Sequence, residues 1–100
     1  MSRAGAGQLI ERAVARGVPM FNHGNAEGTV AVYTSAAERL MTSADLSLGE
    51  RNRLERGLRA SRHSASASES AWQLRYALDD VMASLHGSNG GPATARSMVR

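Results

Sequence analysis

Residues 66–87 read SASESAWQLRYALDDVMASLHG and contain the clearest helical pattern in the chain. Apolar side chains recur there mostly every three or four residues, a spacing that places them on one face of an α-helix. These side chains are Ala71, Leu74, Leu78, Val81, Met82 and Leu85. Ser66 and Glu69 have the spacing of a capping box, and Gly87 is typical of the position after a helix C-terminus. The stretch therefore predicts an amphipathic helix that begins after Ser66 and ends near His86.

Two more helices are predicted upstream from the same kinds of signal. Ser47 and Glu50 form a second capping box, ahead of a helix that runs to about His63. Asn25 is a good N-cap for a helix that runs to about Met41. The apolar stripe of this last helix comprises Ala26, Val30, Tyr33, Ala37, Leu40 and Met41.

The first helix is predicted to begin within residues 4–8, but the sequence leaves its end open. Pro19 has no N–H and disfavours helical structure at the residue before it. The helix therefore either ends near Gly17 or continues, kinked, through Met20 and Phe21. Because short loops join the four predicted helices, we expect an all-α, antiparallel, up-and-down four-helix bundle.

At 100 residues the chain has room for one domain. We predict a single helical domain over residues 1–87 and a disordered C-terminal tail over 88–100, where apolar periodicity is absent. The core should be thin, since 17 residues are Ala. No apolar run approaches the roughly 18 residues of a membrane-spanning helix, and there is no Cys for a disulfide. The cytoplasm is the expected compartment.

All 12 basic residues are Arg, and they outnumber the 9 acidic residues to give a net charge of +3. We interpret this usage as typical of a high-GC genome, and the charge alone is too small to indicate nucleic-acid binding. Arg53, Arg56 and Arg59 nevertheless lie on one outer face of the third predicted helix, as a phosphate-binding stripe would. A solvated helix face, interleaved with Glu55, is the simpler interpretation.

The segment from Gly17 to Met41 resembles one tetratricopeptide (TPR) helical hairpin. The positions that carry the resemblance are Gly17, Phe21, Gly24-Asn25, Tyr33 and Ala36-Ala37. Pro19 and Thr29 depart from the family's pattern, and the second predicted hairpin does not repeat it. The resemblance implies a TPR-like first hairpin in which small residues let the helices approach and aromatic residues fill the gap. By analogy with the family, it also implies a protein partner.

The turn at residues 19–25 is the most unusual local sequence, because a proline, an aromatic residue, two Asn and a His crowd it. Asn22 and His23 are candidate hydrogen-bonding groups beside the N–H groups of a helix start, which favour an anion. Tyr33, two turns further on, and Arg75 complete the set of candidate ligand-binding residues. A tight interhelical turn capped by Asn25 is the structural alternative.

No catalytic motif is evident in the sequence. His23, His63 and His86 lack the spacing of metal ligands, and the adjacent carboxylates of Asp79 and Asp80 diverge by about 100° on a helix. We therefore expect no catalytic residues, no metal and no cofactor, and these observations favour a protein that is not an enzyme.

Phe21, Trp72, Tyr76 and Met82 are the candidate partner-binding residues. We expect the protein to be a small interaction module that uses these side chains. It would bind a partner helix or peptide through an apolar groove between the second and fourth helices, or it would form a homodimer. Two alternatives stay open: a small-molecule or anion-binding domain at the residue 19–25 turn, and a weak nucleic-acid binder through the third helix. A concave pocket would favour the ligand-binding domain, and a flat apolar stripe the interaction module.

Overall fold

The structure is a computed structural model that describes residues 1–87. It contains four α-helices, namely α1 (Arg3–Asn22), α2 (Ala26–Met41), α3 (Leu48–Arg62) and α4 (Ala67–His86). Residues 1–87 contain no β-strand, so the prediction of an all-α four-helix bundle is confirmed. The tail predicted for residues 88–100 lies outside the described residues.

The helix starts follow from their capping residues. At α3, the Ser47 side chain accepts a hydrogen bond from the Glu50 N–H at 3.0 Å, and the Glu50 carboxylate accepts one from the Ser47 N–H at 2.8 Å. At α4, Ser66 accepts from the Glu69 N–H in the same way, but the Glu69 carboxylate binds the N–H of Ala65 instead. The capping box at α3 is therefore complete, whereas at α4 only the Ser66 half of the predicted box forms.

Helix α1 continues through Pro19 to Asn22, which decides between the two ends that the sequence left open. Pro19 lies on the exposed side of the last turn, where its ring meets solvent rather than the core. The helix then closes at His23, whose backbone N–H donates to the Pro19 carbonyl at 3.0 Å.

Contacts at the two ends of the bundle establish the up-and-down order. At one end Arg3 of α1 binds Glu50 of α3, and Ser84 of α4 donates to the same carboxylate. At the other end the Phe21 ring of α1 packs on the Trp72 ring of α4. Helices α2 and α4 also pack directly on each other across the middle of the bundle. The largest fully buried aliphatic side chains are Ile10, Leu40, Leu54, Leu74, Leu78 and Val81.

Among residues 1–87, Glu50 is the charged residue that is buried, since only 5% of it is exposed. Arg3 donates to both of its carboxylate oxygens, at 3.0 and 2.9 Å. The hydrogen bond from Arg3 is the main cause that lowers the pKa of Glu50 to about 2; burial opposes it, and the hydrogen bonds from Ser84 and the Ser47 N–H assist it. This carboxylate therefore joins α1, α3 and α4 at one end of the bundle.

Two glycines allow neighbouring helices to approach closely. A Cβ placed on Gly17 of α1 would lie 2.7 Å from the Cζ atom of Tyr33, and one on Gly57 of α3 would lie 2.5 Å from the Cβ atom of Ala77. Both distances are far below van der Waals contact, so neither position has room for even a methyl group.

Candidate functional site

A cavity of about 130 Å³ opens where α1 ends and where α2 and α4 begin. Its walls are mainly aromatic and aliphatic, with a few polar groups at the edge. The residues that line it are Val18, Phe21, Asn22, Thr29, Tyr33, Ala71, Trp72 and Arg75. We call this cavity the aromatic pocket.

Two rings of the pocket's outer wall, Phe21 and Trp72, continue into a third ring, Tyr76, to form a row. Phe21 meets Trp72 edge to face, with ring centroids 5.8 Å apart, and Trp72 lies 5.8 Å from Tyr76 at an interplanar angle of 31°. Trp72 is 45% exposed and Tyr76 is 50% exposed, although both rings are large and apolar. The row therefore extends from the pocket over the outer surface of α4.

The floor of the aromatic pocket is the ring of Tyr33, which is only 2% exposed. The ring lies directly over Gly17. Beside it, the hydroxyl of Thr29 donates to the Gly17 carbonyl at 2.9 Å. Because Thr29 is buried and bonded in this way, its hydroxyl holds α2 against α1 and fixes the position of Tyr33.

Arg75 supplies the positive charge at the edge of the aromatic pocket. Its Nε atom donates to Asp79 at 3.0 Å, an i,i+4 pair on the surface of α4. Burial acts to lower the pKa of Arg75, but Asp79 and, to a smaller extent, the Tyr33 phenol raise it above the ordinary value. A guanidinium has five N–H donors, so its terminal nitrogens remain able to bind a carbonyl or a carboxylate.

The aromatic pocket brings together residues from both of the candidate sets that the sequence suggested. Three of the four candidate ligand-binding residues line it, namely Asn22, Tyr33 and Arg75. Two of the four candidate partner-binding residues line it as well, namely Phe21 and Trp72, and Tyr76 packs beside them. The pocket lies where three helices meet, and five of its eight lining residues belong to α2 and α4. The expected partner groove between the second and fourth helices stays a prediction.

His23 and Met82 lie outside the aromatic pocket. The imidazole of His23 is exposed, and its Nδ1 atom is 2.7 Å from the carbonyl oxygen of Pro19, so it caps the end of α1. Met82 lies ten residues after Trp72 and is half-buried, with its sulfur facing α1 near Gly7. Helical rise carries it about 15 Å along α4 from Trp72, which separates it from the aromatic row.

Sequence reasoning did not single out Val18, Thr29 and Ala71 as residues of a site. Val18 precedes Phe21 and Asn22 by three and four residues, a helical spacing that does place it on their face. Ala71 was assigned only to the core stripe of the fourth helix. For Thr29 the sequence carries no comparable signal, because its role depends on the Gly17 carbonyl of another helix.

The arginines of α3 do not form an open basic stripe. Arg53 binds Asp80 at 2.6 Å, and Arg59 binds Glu55 at 2.9 Å. The carboxylates of Asp80 and Glu55 therefore reduce the positive charge that this face of α3 offers to a phosphate. Of Arg53, Arg56 and Arg59, only Arg56 has no ion pair among residues 1–87, and it is exposed.

In the described part of the chain, no three His, Asp or Glu side chains come together as a metal site requires. Within residues 1–87, none of the helices combines the length and the hydropathy that a bilayer crossing demands. Comparison with known protein families, curated proteins and solved structures found no match to this chain.

Proposed function

We propose that this protein is a non-enzymatic interaction module whose aromatic pocket accepts one apolar side chain of a protein partner. The volume of the pocket carries the proposal. About 130 Å³ is close to the roughly 150 Å³ that holds a benzene ring, and it is well below the roughly 300–1,000 Å³ of ordinary small-molecule sites. The pocket is concave, as a ligand site requires, but its size suits a single side chain.

The exposed aromatic row supports a protein partner. Trp and Tyr are enriched among the residues that contribute most to binding at interfaces, and they act best beside a pocket that excludes water. Trp72 and Tyr76 continue the apolar surface outward from the pocket along α4. The residues of a partner that flank its anchor side chain would pack on this surface.

The polar edge would orient the bound segment. Asn22 is exposed at the edge of the pocket, and Arg75 has N–H donors beyond the one that Asp79 binds. Together they favour a partner whose apolar anchor is followed by a carbonyl or a carboxylate. A second copy of this chain is one such partner, since small bundles often gain core by dimerising. The TPR-like hairpin and the cytoplasmic compartment stay predictions.

The test is selection of peptides on the purified protein from a displayed random library. We expect the enriched peptides to share one large apolar residue, and to bind at least tenfold more weakly to Trp72→Ala and to the pocket-filling variant Ala71→Leu. Leu48→Ala is the control, because Leu48 is an exposed apolar residue on α3, away from the pocket. The proposal fails if no peptide family is enriched, or if the two pocket variants bind as the control does.

A second candidate is a small-ligand site for one aromatic ring with an acidic group. The specific observation behind it is that Asn22, Tyr33 and Arg75 all face one cavity. Titration with phenylacetate, followed by Trp72 fluorescence, separates the two proposals. Micromolar binding that Ala71→Leu abolishes would favour the ligand site, and absence of binding would leave the protein partner.

A further inference from the structure

A second groove of about 390 Å³ lies between α1 and α2, on the side of the hairpin away from the aromatic pocket. On α1 it is lined from Leu9 to Arg16, whereas the aromatic pocket begins at Val18. At 100° per residue, the α1 side chains of the two sites point in opposite directions, about 180° apart. We call this second site the arginine groove, and no helix within residues 1–87 covers it.

Three arginines border the arginine groove, namely Arg12, Arg16 and Arg39. All three are exposed, and none has a carboxylate within ion-pair distance among residues 1–87. Their sequence neighbours Glu11 and Glu38 do not line the groove. This concentration of unpaired positive charge contrasts with α3, where two of the three central arginines are neutralised, and it attracts an anionic partner.

The floor of the arginine groove is apolar and narrow. Leu9 and Val32 are half-buried, and Ala13 and Ala36 between them are small and buried. A phosphate backbone gains nothing from such a floor, whereas the apolar stripe of a helix would bury it. Along the axis of α1, the wall of the groove from Leu9 to Arg16 is about 10 Å long, which is the length of two helical turns.

We infer that the arginine groove docks an amphipathic helix of a partner protein, with acidic residues on both sides of the helix's apolar stripe. Arg12 and Arg16 are four residues apart and therefore about 6 Å apart along the axis, a separation that two carboxylates at i and i+4 of a partner helix match. Two copies of this groove facing each other would bring arginine against arginine, so charge argues against a symmetric pair of this chain. The inference goes beyond the proposed function, because it uses the opposite face of the hairpin.

The test uses three capped 18-residue helical peptides with the same leucine stripe, flanked by Glu, by Gln or by Lys. Fluorescence anisotropy at low salt should show that the Glu peptide binds most tightly and the Lys peptide does not bind. The triple variant Arg12→Gln/Arg16→Gln/Arg39→Gln should weaken the Glu peptide about tenfold or more, since each exposed ion pair contributes up to about fivefold. Ala31→Trp, which obstructs the groove without a change of charge, should weaken it as well.

The matched control is Arg56→Gln/Arg59→Gln/Arg62→Gln on α3, which removes the same charge from another face and should retain binding. Trp72→Ala should also retain it, because the aromatic pocket is a separate site. Circular dichroism verifies that each variant is folded. Equal loss in the two triple variants, equal binding of the Glu and Lys peptides, or no binding of the Glu peptide would overturn the inference. Tighter binding of a DNA duplex through Arg12, Arg16 and Arg39 would also overturn the inference. A dimer of this chain that dissociates when these three arginines are replaced by Gln would overturn it as well.

Discussion

The absence of a side chain at Gly17 gives Tyr33 its place at the floor of the aromatic pocket. A methyl group there would lie 2.7 Å from Cζ and 2.9 Å from the hydroxyl oxygen of the ring. We expect Gly17→Ala to destabilise the protein by about 1–2 kcal/mol, because overpacking costs about 1–3 kcal/mol and improved helix propensity offsets up to about 1 kcal/mol. Urea unfolding followed by circular dichroism measures the change.

Gly7 provides a control on the same helix. A methyl group there would meet the sulfur of Met82 at 3.7 Å, an ordinary contact distance. Gly7→Ala should therefore stabilise the protein by about 0.5–1 kcal/mol through helix propensity alone. Stabilisation by both Gly7→Ala and Gly17→Ala would show that helix propensity, and not the fit against Tyr33, governs these positions.

Single residues also mark how far the site could be predicted. The resemblance to a TPR hairpin implied that small residues such as Gly17 let the helices approach and that aromatic residues such as Tyr33 fill the gap between them. Thr29 was not expected inside, since a hydroxyl is unfavourable in a core unless it is bonded. Its partner, the Gly17 carbonyl, belongs to another helix, and sequence spacing alone does not reveal that contact.

At the scale of helices, α1 is the element whose local preference and tertiary packing disagree. Pro19 removes one backbone hydrogen bond from its last full turns, yet α1 extends to Asn22 and places Phe21 against Trp72. We expect Pro19→Ala to stabilise the protein by about 2 kcal/mol, since an interior proline costs about 3 kcal/mol and its loss frees the unfolded chain by up to about 1 kcal/mol. Thermal and urea unfolding measure this gain, and an unchanged or lower stability would show that Pro19 sits without strain.

The same helix explains why some ends could be predicted and others could not. Capping residues such as Ser47 and Asn25 accept hydrogen bonds from N–H groups within three residues. Because this signal is local, the starts of α2, α3 and α4 could be predicted from the sequence. The end of α1 depends on packing between Phe21 and Trp72, which are 51 positions apart in the chain. Local signals carry no information about a contact of that kind.

At the scale of the whole molecule, the position of the aromatic pocket follows from the close packing of α2 on α4. The apolar stripes predicted the helices and the short loops predicted their up-and-down order, but neither signal states which pair of helices packs across the middle of the bundle. The opening lies at the end of the bundle where α1 joins α2 and α4, and it is lined by residues from both candidate sets. The expected partner groove between the second and fourth helices stays a prediction.

Glu50 joins three helices, so its protonation tests the whole bundle. Its pKa falls from 4.5 to about 2 on folding, mainly through Arg3. A lowered pKa contributes stability that is fully present above pH 4.5 and is lost as the pH falls toward 2. We expect about 2 kcal/mol of acid-sensitive stability, after allowance for water that screens the partly exposed Arg3.

Urea unfolding from pH 7 to pH 2 should show this loss of stability in the wild type and a flatter dependence of stability on pH in Glu50→Gln. The control is Glu55→Gln, which removes the carboxylate of an exposed surface ion pair and should keep the wild-type dependence of stability on pH. If Glu50→Gln loses stability as steeply as the wild type does, other carboxylates cause the acid sensitivity.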